Sequence, residues 1–189
     1  MCQYIDMRLK AILQTTILTL FIIGCNDEDN LPIDDREFVP GDVIIGIKST
    51  TSINSVFDLM NEREVTIDQM SGFFNYSTLP NDSLDYIINE LKDKIYLNKR
   101  GFSGGSAFIH AIENRIIVTE FFFEMNMEAQ QDWLTTMNIL KLNDLGNDTK
   151  NLLIKVTPGT EKYWMQLFKI HPYVTWVELN HIGGFEPFD

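Results

Sequence analysis

The sequence predicts an α+β fold, and two observations carry that expectation. Short β-rich runs alternate with stretches whose apolar residues recur at helical spacing. The two ends of the chain also share one strand–helix–strand plan at one spacing. Val43 to Val65 is 22 residues, and so is Leu152 to Val174.

The elements follow in order. Asp42 to Lys48 ("DVIIGIK") is a strand behind a Pro40-Gly41 turn. Ser52 opens a helix with Ile53, Val56, Phe57 and Met60 on one side. Glu64 to Met70 ("EVTIDQM") resumes as a strand. Near the other end, Asn151 to Val156 is a strand and Pro158-Gly159 turns the chain. Tyr163, Trp164, Leu167 and Phe168 line a helix that stops before Pro172, because a residue preceding proline is kept out of the helical region. Tyr173 to Leu179 closes as a strand, with Val174-Thr175 matching Val65-Thr66. Two β-α-β units of this kind make a ferredoxin-like split sheet. A parallel crossover buries one sheet face under helices. The inner residues would be Val43, Ile45, Ile47, Leu153 or Ile154, Val174 and Trp176, depending on register.

An α-β-β-α block, about residues 77–150, lies between the halves, inserted there or pairing with their sheet. Asp82 or Ser83 caps its first helix, which carries Leu84, Ile87, Ile88, Leu91 and Ile95. "SAFIHAIENRIIVTEFFFEM" reads as a hairpin turning at Glu113-Asn114. A second helix follows, with Trp133, Leu134, Met137 and Leu140 apolar. The Phe121-Phe122-Phe123 run could seek a membrane; a strand covered on both faces explains it better.

The start of the chain reads as a targeting segment. Arg8 and Lys10 precede 13 mostly apolar residues, Ala11 to Ile23. A bilayer-crossing helix needs ~20, so this is the pattern of a secretory signal. Met7 makes a cleaner start than Met1, because it puts the basic residues first and omits Asp6.

The end of that segment, Ile22-Ile23-Gly24-Cys25, resembles the lipobox of bacterial lipoproteins. The usual box has Leu three before the cysteine and a small residue two before; here these are Ile22 and Ile23. In that family the leader is cut before the cysteine and the thiol becomes a diacylglycerol thioether. "CNDEDN" also resembles the export tag of surface lipoproteins in the Bacteroidota, and Asn26 resembles their outer-membrane sorting residue. The resemblance implies a leader over 1–24 and a lipidated Cys25; acidic residues and prolines mark a tether over 25–40, and length and composition fit a single α+β domain over 41–189. It implies an outer-membrane anchor in the cell envelope, possible exposure at the cell surface, and the membrane itself as a partner. Several acyl chains hold such an anchor, since each buried CH₂ contributes ~0.8 kcal/mol.

Composition agrees with that placement. Cys2 would leave with the leader and acylation would consume Cys25, so no disulfide and no cysteine metal site is expected. Losing Arg8, Lys10 and Asp6 takes the formal charge from −12 to −13. Such a surface repels nucleic acid, so no nucleic-acid partner is expected. The tether holds Asp27, Glu28, Asp29, Asp34, Asp35 and Glu37 with two prolines, and like charges keep it extended. It lacks the glycine turn and spacing of an EF-hand.

Candidate chemistry is thin. Gly101 to Gly105 ("GFSGG") matches the spacing of a nucleophile elbow around Ser103, but that motif needs a strand before the serine and a helix after it. Here a helix precedes and a strand follows, so the segment reads as a flexible link. No lysine-serine pair follows the glycines, as a phosphate loop requires. His110, His171 and His181 share no metal-ligand spacing. His171 sits at a helix end, where a cation is favoured. Asp82-Ser83-Leu84 resembles a short O-glycosylation motif of Bacteroidota secreted proteins. No cofactor, metal or catalytic residue is expected.

"FVPGDVIIGI" and "VTWVELN" resemble the first and last strands of propeptide-type inhibitor domains of subtilisin-like proteases. That family is ferredoxin-like and lays its C-terminal tail in the protease cleft. The matching tail is Asn180, His181, Ile182, Gly183, Gly184 and Phe185. The block between the halves departs from the family pattern, and so does the lack of a protease after Asp189 in this sequence. The expected function is a non-catalytic binding or accessory module with a protein or glycan partner. A stand-alone protease inhibitor is the alternative, and an envelope hydrolase the third.

Overall fold

The structure is a computed structural model that describes residues 36–99, 102–146 and 150–182. Cys25, the leader, most of the tether and Gly183, Gly184 and Phe185 lie outside the described residues.

The fold is α+β. In chain order it runs β1 (Phe38–Ile47), α1 (Ile53–Asn61), β2 (Thr66–Ser77), α2 (Leu84–Lys92), β3 (Asn98–Lys99), β4 (Phe102–Ser103), β5 (Gly105–His110) and β6 (Arg115–Met125). There follow α3 (Met127–Ile139), β7 (Leu142–Asp144), β8 (Lys150–Lys155), α4 (Glu161–Lys169) and β9 (Val174–His181). The main sheet has the order β5-β6-β2-β8-β1-β9, with β7 also on β2, and β3 and β4 pair separately. Neighbours in the main sheet are all antiparallel. β1 and β2 therefore run parallel with β8 between them, and β8 and β9 run parallel with β1 between them. The hairpin β5–β6 extends this sheet along β2, with Asn114 at φ 49 closing its turn.

One face of the sheet carries the core. Val43, Ile45 and Ile47 of β1 are buried with Leu152 and Ile154 of β8 and Ile67 and Met70 of β2. Every helix adds its buried apolar residues to this same cluster: Val56, Phe57 and Met60 of α1, Ile87 and Leu91 of α2, Trp133 of α3 and Phe168 of α4. Ser52 caps α1, its hydroxyl accepting from the N–H of Ser55 at 3.1 Å. The two proline-glycine turns are tied by one buried side chain. The carboxylate of Glu161 accepts from the N–H of Gly41 at 2.7 Å and from that of Gly159 at 2.9 Å. Both glycines have positive φ, 84° and 89°, which a side chain would strain.

Several expectations are corrected. Trp176 does not face the core. A register shift between Gly46 and Ile47 inserts Thr175, so Val174 and Val177 both turn inward and Trp176 turns out. Of the two β8 candidates, Ile154 faces the core and Leu153 the other side. Ile95 is 85 % exposed, because α2 ends at Lys92 and a 3₁₀ turn follows. Ser83 stands at the N-cap of α2 without a side-chain capping bond, since a 3₁₀ turn leads into the helix. Only Phe122 of its run enters the core. Phe121 and Phe123 are half-buried on the opposite face, with ring centroids 4.9 Å apart.

Candidate binding surfaces

The sheet face opposite the helices is built by the alternate residues of each strand. Register aligns them in rows. One row is Trp176, Gly46, Asn151 and Ser71, across β9, β1, β8 and β2. The next is Glu178, Ile44, Leu153, Gln69 and Phe123, reaching β6. A Cβ at Gly46 would overlap the Trp176 indole, so the ring lies against the backbone of β1 and only glycine admits it there. Gly46 is buried beneath the ring while Trp176 remains 38 % exposed. Beside it runs a shallow groove of about 350 Å³ lined by Ile44, Gln69, Ser71, Phe121, Asn151, Leu153 and Asn180. Asn180 Nδ2 donates to Asp42 Oδ2 at 2.8 Å, and Lys155 pairs with Asp42 at 2.5 Å.

A second, larger cleft of about 460 Å³ lies between the turn after α2 and the start of α3. Its centre is Asp132. Tyr96 donates from its hydroxyl to Asp132 Oδ2 at 2.6 Å, and Lys94 Nζ donates to the same oxygen at 2.9 Å. Burial pushes the Asp132 carboxyl up, but the bonds from Tyr96 and Lys94 and the lysine charge outweigh it and hold it below its ordinary value. Burial, and then the Asp132 carboxylate, push the Tyr96 hydroxyl far above the usual tyrosine range. Lys99 pairs with Glu124 on the cleft wall. Two lysines, Lys94 and Lys99, stand among four carboxylates, Asp93, Glu124, Glu128 and Asp132, so the cleft lining is polar with an acidic excess.

A third cluster is interior. Lys150, 1 % exposed, donates from Nζ to the carbonyls of Ser49 at 2.7 Å and Thr51 at 2.8 Å, and pairs with Asp144. Asn75 pairs with Asp144 across β2 and β7 and donates to buried Glu120. Burial raises the Glu120 carboxyl well above its ordinary value; the Asn75 bond opposes this and Asp144 adds to it. These groups knit β2, β6, β7 and β8 to the loop after β1, which is a structural task.

Asn180 and His181 belong to β9, and the N–H of Ile182 donates to the carbonyl of Glu37 at 2.9 Å. The described part of the tail is therefore held along β1. Ser103 is exposed and its hydroxyl donates to the Gly105 carbonyl at 3.2 Å. Gly104 is no loose link, because a Cβ there would strike the backbone of Phe121. His171 follows the C-cap of α4, its N–H donating to the Phe168 carbonyl; burial and then nearby Arg63 lower its proton affinity, which opposes the pull of the helix end. Among the described residues no cluster of three or more His, Cys, Asp or Glu could hold a metal ion. None of their helices is long and apolar enough to cross a membrane. Sequence reasoning missed Tyr96 and Asp132, 36 positions apart, and the outward turn of Trp176 over Gly46. A glycine in mid-strand with a tryptophan elsewhere was the one available signal for the latter.

No family model, curated protein or solved structure matches this chain.

Proposed function

We propose that this chain is a lipid-anchored, non-catalytic binding module of a bacterial envelope, held at the outer membrane through Cys25. The observation that carries the binding part is the open sheet face, where an exposed tryptophan lies flat beside a groove. The lipobox-like Ile22 to Cys25 segment supports the anchor. We read the four strands β2, β8, β1 and β9 with α1 and α4 as a ferredoxin-like core. Their order and their two parallel crossovers support that reading.

The test has two arms. Cells expressing the full chain are fed an alkyne palmitate; a tagged band that disappears in Cys25→Ser is expected, and an untagged wild type would remove the anchor. Purified protein is then offered a panel of nitrophenyl esters. No turnover dependent on Ser103 is expected, and hydrolysis abolished by Ser103→Ala would replace the binding reading with the hydrolase. The inhibitor reading is favoured by the same strand order and by β9 being an edge strand of the sheet. It requires sub-micromolar slowing of a subtilisin-like protease that is lost when residues 183–189 are removed.

A further inference from the structure

We infer that the open sheet face binds an uncharged, polyhydroxylated chain, a neutral oligosaccharide, laid across β9, β1, β8 and β2 beside Trp176. This rests on the binding-module reading and names its ligand class.

Three observations point to that chemistry. First, the groove lining contains no ionisable residue, on a chain of formal charge −12. Neighbouring Lys155 is neutralised by Asp42 and Asp68. An anionic ligand would meet an acidic protein, and a cationic one would find no counter-charge in the groove lining; exposed Glu178, on the same face beside Trp176, lies outside that lining. Second, the half-buried amides of Gln69 and Asn151 make no side-chain hydrogen bond to the described residues. An amide offers a donor and an acceptor side by side, which suits vicinal hydroxyls. Half-buried amides that lack a protein partner gain by taking one from a ligand. Third, Trp176 offers a flat π face next to these amides. The C–H faces of a sugar ring are weakly positive and apolar, and stack on the negative face of an indole. Gly46 makes this possible by letting the ring lie against β1, in the same row as Asn151. The row from Trp176 to Ser71 crosses three strand spacings, ~14 Å, long enough for a short oligosaccharide. A few polar groups among apolar walls are the usual make-up of such sites.

The experiment is affinity electrophoresis of the full chain in detergent, in native gels cast with xylan, a mannan, a β-glucan or starch. Heparin gels serve as the anionic control. Retardation by at least one neutral polymer is expected. Trp176→Ala and Asn151→Ala should weaken it at least tenfold while thermal melts show the fold intact, and Trp176→Phe should restore part of it. If none of the four neutral polymers retards the protein, the inference falls. It also falls if heparin retards the protein more, or if Trp176→Ala migrates like wild type. A dimer in sedimentation that Trp176→Ala dissociates would assign the face to a second copy and overturn the inference likewise. Failure in the gels with a protein partner crosslinked in intact cells leaves the binding module standing without its glycan; failure of both removes the two together.

Discussion

Asn75 donates from Nδ2 to Oε1 of Glu120 at 3.0 Å, and both side chains are buried between β2 and β6. The bond joins residues on two strands at the centre of the α+β unit, where a carboxylate would be poorly solvated.

That pairing predicts a pH dependence. Glu120 is held above its ordinary proton affinity by burial, so the folded chain keeps a proton that the unfolded chain loses above pH ~4.5. The folded state's advantage is complete below that point and declines as pH rises toward the folded value. Glu120→Gln should flatten this decline and raise stability at pH 7 by about 1–3 kcal/mol. Urea unfolding of both proteins from pH 4 to 9 measures it. A mutant with the wild-type slope would show that Glu120 is not the titrating group.

Glu161 predicts the opposite limb. Burial raises its carboxyl, but the N–H groups of Gly41 and Gly159 outweigh that and hold it below the ordinary value. Its contribution is present above the unfolded glutamate value and disappears as pH falls through the lower folded one. Glu161→Gln should weaken the fold by about 1–2 kcal/mol at neutral pH and reduce the acid loss. Equal losses of stability on acidification in mutant and wild type would refute the assignment.

Lys150 is the cation that the interior can least do without. Lys150→Met leaves Asp144 and two carbonyls without their shared donor and should cost about 3 kcal/mol. The double change with Asp144→Asn should recover part of this. Chemical denaturation of the four proteins in a mutant cycle gives the coupling, and additive losses would dissolve the pair.

Gly46→Ala should force the indole off β1. Strain of about 1–3 kcal/mol is expected, together with a red shift in Trp176 fluorescence as the ring enters water. Adding Trp176→Ala should remove the strain. A Gly46→Ala protein with unchanged emission would mean that the ring does not rest there.

The strands and helices nearest the chain ends were legible because their signals are local. "DVIIGIK" and "NLLIKV" are dense in β-branched and apolar residues, and Ser52 caps α1 within three positions of its acceptor bond. The hairpin was readable from Asn114, which the turn places at positive φ. What escaped depended on contacts made at distance. β2 runs on to Ser77 because Gly72, at φ 79, absorbs an irregularity that interrupts the alternation. Strict alternation from Val174 puts Trp176 inward, whereas one extra residue, Thr175, reverses every later position. Asn75 and Glu120 are 45 positions apart, and only the pairing of β2 with β6 introduces them.

The place of β1 between β8 and β9 has a kinetic consequence. Its Asp42 meets Lys155, 113 positions later, and Asn180, 138 positions later. A nascent chain therefore carries β1 unmated until β8 and β9, residues 150–181, have emerged. Closure of such distant pairings is slow. Through that interval the apolar run Val43 to Ile47, buried once the sheet closes, is open to sticking.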